Sequence, residues 1–127
     1  MQRHTAQWVL KAEDDIVVAR SLSAMEKPRR DAACFHCQQS VEKYLKALLQ
    51  ELNLPVPRTH DLEALLDLLI PHDGTLKSLR RGLQGLTRYA VEYRYPGCRA
   101  TTRALKSALV IAEKVRTELR TRLGLGK

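Results

Sequence analysis

The chain has 127 residues, with 22 Lys and Arg against 14 Asp and Glu and a formal net charge of +8. This length suits one domain spanning residues 1–127, its last few residues frayed, and it needs no metal or disulfide to complete a core. With one Phe, one Trp and four Tyr, packing falls to Leu, Ala and Val, and the positive charge points towards a polyanionic partner such as RNA or nucleotide phosphate.

Trp8, Ala12, Asp15, Ile16, Ala19 and Ser23 recur at helical spacing and predict a first helix over residues 5–25. Lys27-Pro28 ends it, because proline disfavours a helical conformation in the residue before it. A second helix is expected from Arg30 to Asn53, with Cys34, Cys37, Val41, Tyr44, Leu45, Leu48 and Leu52 along its apolar arc. Leu54-Pro55-Val56-Pro57 stops it as an extended link. Thr59 suits the N-cap of a short third helix, with Asp61 at the positive end of its dipole and Leu62, Leu65, Leu66 and Leu69 as its buried stripe.

Leu76, Leu79, Leu83, Leu86 and Ala90 predict a fourth helix over 75–93. Gly82 and Gly85 either weaken it or let a neighbour approach closely. After the Tyr95-Pro96-Gly97 turn, Leu105, Ala108, Ala112, Val115 and Leu119 predict a fifth helix from Arg99 to Leu123. The expected fold is all-α, an antiparallel up-and-down bundle of four long helices plus one short helix. No apolar run reaches a membrane span, and residues 1–25 lack the apolar core of a signal peptide. Three cysteines without a secretory signal fit a reducing compartment, so a cytoplasmic protein with no membrane association is expected.

The second helix carries the densest chemistry. His36, Gln39 and Lys43 lie within about 60° of one another, away from the apolar arc, while Gln38 and Glu42 border it. Such a cluster is either a ligand site or a solvated face with a polar helix–helix seam. Asp15 falls on the apolar face of the first helix, where a carboxylate needs a partner, and Lys43, His36, His60 or Arg94 could supply one. Cys34 and Cys37 sit on the apolar arc as small core residues, since a redox pair needs a helix N-terminus and structural zinc needs four ligands. No metal site and no cofactor are expected. The basic residues of the fifth helix read as a solvated face or, secondarily, as phosphate contacts, and they lack aromatics for stacking single strands.

Four blocks carry a resemblance: Trp8…Ala12-Glu13-Asp14-Asp15, then Phe35-His36-Cys37-Gln38-Gln39-Ser40-Val41-Glu42-Lys43-Tyr44-Leu45, then Thr59-His60-Asp61-Leu62, then Ala90-Val91-Glu92-Tyr93-Arg94-Tyr95-Pro96-Gly97. In this order they resemble the HEPN domain (higher eukaryotes and prokaryotes nucleotide-binding). The resemblance implies a homodimer, often paired with a small nucleotidyltransferase in a toxin–antitoxin system. It also implies nucleotide or RNA binding, with Asp15, His36, Gln39, Lys43, Arg94 and Tyr95 as candidate contacts.

Members of that family are often metal-independent endoribonucleases, marked by an Arg, then four to six intervening residues, then a His, near the start of a late helix. No histidine follows Arg94 or any later arginine here, although Arg29 or Arg30 to His36 has that spacing in the second helix rather than a late one. The catalytic candidates are therefore His36, Arg94 and His60, a histidine activating the 2′-hydroxyl and an arginine stabilising the phosphorane. The expected role is a binding module, with the ribonuclease and a purely structural helical dimer as alternatives.

Overall fold

The computed structural model describes residues 1–126, and of Ala90 and Val91 only the backbone. Its α-helices are α1 (Arg3–Ser23), α2 (Arg30–Glu51), α3 (Leu62–Leu69), α4 (Arg80–Val91) and α5 (Thr102–Arg122). Two 3₁₀ segments, Gly74–Leu79 and Glu92–Arg94, flank α4. No strand occurs among the described residues, and the fold is the all-helical bundle expected from the apolar spacing.

Hydrogen bonds between helices fix their directions. The Gln2 amide donates to Glu51 Oε1 (2.9 Å), Ser40 Oγ to the Ala12 carbonyl (2.9 Å) and the Arg29 amide to the Leu22 carbonyl (3.1 Å), so α1 and α2 are antiparallel. Arg30 Nε reaches the Ala100 carbonyl (2.8 Å) and Arg120 Nη1 the Tyr44 hydroxyl (3.2 Å), so α5 runs alongside α2 in the same direction. Arg122 bonds Asp73 (2.8 Å), whereas Gly82 lies against Ile111, which sets α4 antiparallel to α5. The long helices thus alternate in direction, and α3 fills the connection between α2 and α4.

Helix ends follow local chemistry. Asn53, at φ 60°, closes α2 in the left-handed conformation, with its own amide on the Gln50 carbonyl and that of Leu54 on Leu49. The helix therefore ends at Glu51 and excludes Asn53. Gly124, at φ 74°, closes α5 by the same bonding pattern. The N-cap of α3 is Asp61, whose carboxylate accepts the Glu63 and Ala64 amides (3.1 and 3.3 Å). Thr59, expected in that role, accepts the Asp61 amide instead (3.1 Å). Thr101 caps α5 through the Ala104 amide (3.0 Å), so that helix begins after Arg99.

The fourth helix departs most from expectation, since its continuous 75–93 span is broken at both ends. Leu76 and Leu79 are three apart, which a 3₁₀ turn places on one side, and both are buried. The preceding Asp73 holds the Thr75 amide (3.0 Å), tying this turn to its start. Gly82 allows close approach: a Cβ there would stand 3.1 Å from Ile111 Cγ2.

The core is continuous, from Ile16 and Ala19 on α1 through Leu65 and Leu66 on α3 to Leu83, Leu86, Ala112 and Leu119. Its axis is α2, where Cys34, Cys37, Val41, Tyr44, Leu45, Ala47 and Leu49 are fully buried. The remaining sides of α2 are covered as well: Gln38, Ser40, Glu42 and Lys46 are buried polar residues. The second helix is the central rod of the bundle rather than a rod with one solvated face.

Candidate functional site

Ser40, whose hydroxyl bonds the Ala12 carbonyl, marks the stripe of α2 on which α1 rests. His36 and Lys43 are seven residues apart, two helical turns, and flank Ser40 on that stripe. Across from them stands Asp15, 7% exposed. Its Oδ1 is 2.8 Å from His36 Nδ1, and its Oδ2 is held by the Lys43 ammonium. A carboxylate can only accept, so Nδ1 carries the hydrogen; Nε2 is the acceptor of the neutral ring and a second donor of the protonated one. The His36 and Lys43 side chains keep 30% and 25% of their exposure, so both border solvent while the Asp15 carboxylate that holds them is buried.

The row extends towards the end of α4. Phe35 meets the His36 ring edge-on, with centroids 5.5 Å apart. On Phe35 lies the Arg94 guanidinium, 5.2 Å from the ring centroid, a cation–π contact made from the 3₁₀ turn after α4. Arg94 itself is exposed, and so is Tyr95 beside it. Gln39 is half-buried between His36 and Lys43. The sequence candidates Asp15, His36 and Lys43 thus converge directly, Arg94 stands one aromatic ring away, and Tyr95 adjoins Arg94 in sequence. Phe35, which links them, was not among the candidates; its place beside His36, at the margin of the apolar arc, was the available signal.

His60 belongs elsewhere. Its Nδ1 lies 2.8 Å from Oε1 of buried Glu42, whose Oε2 takes the Lys46 ammonium at 3.2 Å. The Lys46 ammonium also sits 5.6 Å from the centre of the Trp8 ring. This second cluster occupies a different face of α2, turned to the start of α3, because Gln38 Nε2 donates to the His60 carbonyl (3.2 Å). His60 is therefore removed as a partner for Asp15, and it makes no contact with Arg94 among the described residues.

Burial pushes the Cys37 thiol up to about 12, with Cys34 adding to the effect, and the Cys34 thiol up to about 11. Both cysteines are inert core groups at neutral pH. Glu13, on α1, faces Arg116 and Arg120 of α5 at 2.7 and 2.9 Å. Burial alone would raise its carboxyl, but these guanidinium groups and the Tyr44 hydroxyl outweigh burial and hold it below its ordinary 4.5. Among the described residues, no His, Cys, Asp or Glu cluster is placed to hold a metal ion, and no helix is long and apolar enough to cross a membrane.

The sequence profile of the HEPN domain matches residues 5–122, nearly the whole chain. The chain belongs to the HEPN family. Its fold is shared with TT1696 from Thermus thermophilus, at 23% identity and a TM-score of 0.78, with 94% of this chain and 98% of that one covered. ST0689, an archaeal HEPN homologue, superposes with a TM-score of 0.74 at 22% identity, covering 96% and 98%. No curated protein matches the chain. Within this HEPN domain, Asp15 and the α2 row lie where α1 and α2 meet, and Arg94 lies at the end of α4.

Proposed function

We propose that this HEPN domain is a nucleotide- or RNA-associated binding module, paired with a small nucleotidyltransferase in a toxin–antitoxin-type system. The observation that carries the binding reading is the fixed row of Asp15, His36 and Lys43, with Arg94 beyond Phe35. Asp15 orients the row from a buried position. His36, Lys43, Gln39, Arg94 and Tyr95 are the groups left to meet a ligand. A histidine, a lysine and an arginine held at a solvent border suit phosphate oxygens, and Gln39 can bond a base or sugar.

Calorimetric titration with a nucleoside triphosphate and a short single-stranded RNA at low salt tests this reading. Binding that weakens in Lys43→Ala and in Arg94→Ala is the expected result. A chain that binds neither ligand is instead the purely structural helical dimer. The homodimer rests on family membership, and light scattering would detect it. The nucleotidyltransferase partner rests on family membership, and co-purification with such a protein encoded alongside would test it.

One observation favours the ribonuclease as a second reading. The Asp15–His36 bond holds the hydrogen on Nδ1, so that in the neutral ring Nε2 is the free acceptor, which is what a base acting on a 2′-hydroxyl requires. Arg94 stands beyond Phe35 from that ring and is the arginine offered for the phosphorane. RNA cleavage and growth arrest that vanish in His36→Ala while RNA binding persists would establish it; unchanged toxicity in both His36→Ala and Arg94→Ala would exclude this site.

A further inference from the structure

A second feature lies where the link between α1 and α2 meets the start of α5. A cleft of about 360 Å³ is lined there by Pro28, Arg29, Arg30, Asp31, Arg99 and Ala100, among others. Several arginine side chains elsewhere in the bundle are consumed by carboxylates: Arg20 by Glu113, Arg80 by Glu63 and Asp67, Arg116 and Arg120 by Glu13, and Arg122 by Asp73. Among the described residues Arg29 and Arg99 have no such partner, and both are exposed.

Arg30 is anchored differently. Its Nε donates to the Ala100 carbonyl at 2.8 Å, which fixes the guanidinium plane and leaves the terminal nitrogens without a partner among the described residues. The acid in the lining, Asp31, is engaged by the Ala100 amide at 2.6 Å. That pair of bonds clasps the start of α5 to the start of α2 and sets the cleft walls.

We infer that this cleft is a phosphoryl-binding site, in which Arg30 presents a pre-oriented guanidinium edge and Arg29 and Arg99 close on the same oxyanion. Three guanidinium groups around one concavity repel one another unless an anion joins them, and Arg pairs with phosphate through two parallel hydrogen bonds. The cleft is larger than a bare phosphate, so it admits one that still carries its sugar. The assignment does not depend on the α2 row binding nucleotide, because inorganic phosphate chemistry would suffice to fill it.

The test is isothermal titration of the full chain at low salt with pyrophosphate, a nucleoside triphosphate and a single-stranded RNA. Wild type is compared with Arg29→Ala/Arg99→Ala and with Arg58→Ala/Lys77→Ala, a pair removing the same charge at the opposite end of the bundle. All four positions are exposed, so each variant is expected to keep the wild-type circular dichroism. The cleft predicts a loss of about tenfold or more for pyrophosphate in the Arg29/Arg99 variant and much less in the other. Equal losses in the two variants, or no pyrophosphate binding by wild type, would overturn it. Arg29/Arg99-dependent pyrophosphate binding with silent nucleotide and RNA keeps the cleft and removes the nucleotide reading. Tight nucleotide or RNA binding indifferent to Arg29 and Arg99 does the reverse.

Discussion

Asp15 is buried and then satisfied twice, by a ring nitrogen and an ammonium from the same helix. That a carboxylate at this position needs a partner was legible from its place among Trp8, Ala12 and Ala19. Which partner was not, because Lys43, His36, His60 and Arg94 offer similar chemistry and only packing decides which helix covers which. Asp15→Asn keeps the shape but strips Lys43 of its counter-charge. With Lys43 a quarter exposed, the cost should be roughly 2–4 kcal/mol, below that of a fully buried pair. Chemical denaturation would measure it, and a change under about 0.5 kcal/mol would show the pair to be decorative.

Glu13 gives a pH-dependent counterpart. Its folded value lies below 4.5, so the unfolded chain binds the proton more readily and the contribution to stability is complete above pH 4.5. It is lost as pH falls through the depressed folded value. Glu13→Gln should therefore destabilise the chain at neutral pH, with the gap to wild type closing below that window, as denaturation at several pH values would show. The thiols make a simpler forecast. Of the three cysteines, only Cys98 is exposed, so a thiol reagent at pH 8 should titrate one group in the native chain and three in denaturant.

At the scale of elements, the apolar spacing located every helix, because Leu, Ala and Val repeats record which face is buried. Ends were less legible. Thr59 and Asp61 are both competent caps, and the choice depends on where the chain turns after Pro57. The 3₁₀ start before α4 is visible only in hindsight as the three-residue step from Leu76 to Leu79. The polar side of α2 stayed open between a ligand site and a polar seam for a related reason: periodicity shows polarity but not what packs on it, and α1 packs there against Ser40, His36 and Lys43.

The two glycines of α4 separate the two roles open to them. A Cβ on Gly85 would meet only Ile111 Cδ1, at 4.0 Å, whereas one on Gly82 would meet Ile111 Cγ2 at 3.1 Å. Gly85→Ala should stabilise by about 0.5–1 kcal/mol and raise the melting temperature by about 2–4 °C. Gly82→Ala should gain less or lose, since the helical preference is offset by displacement of Ile111. Equal gains from both would mean that α4 and α5 are not closely packed there.

For the whole molecule, the net charge of +8 is unevenly used. Arg116, Arg120 and Arg122 on α5 are spent on structural ion pairs, so the basic fifth helix is less a phosphate surface than its composition suggests. Among the described residues, Arg29 at the α1–α2 link, Arg94 at the end of α4 and Arg99 before α5 make no ion pair, and neither do Arg58 and Lys77 at the other end of the bundle. The family was legible from the order of four blocks, whereas placing Arg94 near His36 required the fold, since the two stand far apart along the chain.

The most direct measurement is fluorescence anisotropy of a short single-stranded RNA titrated with the wild-type chain at about 50 and 200 mM salt. Binding at the lower salt, weakened about tenfold or more at the higher and weakened again in Lys43→Ala, is the predicted result. An RNA that stays unbound at about 50 mM salt would contradict the RNA-binding function, and a binding curve unmoved by Lys43→Ala would contradict its location.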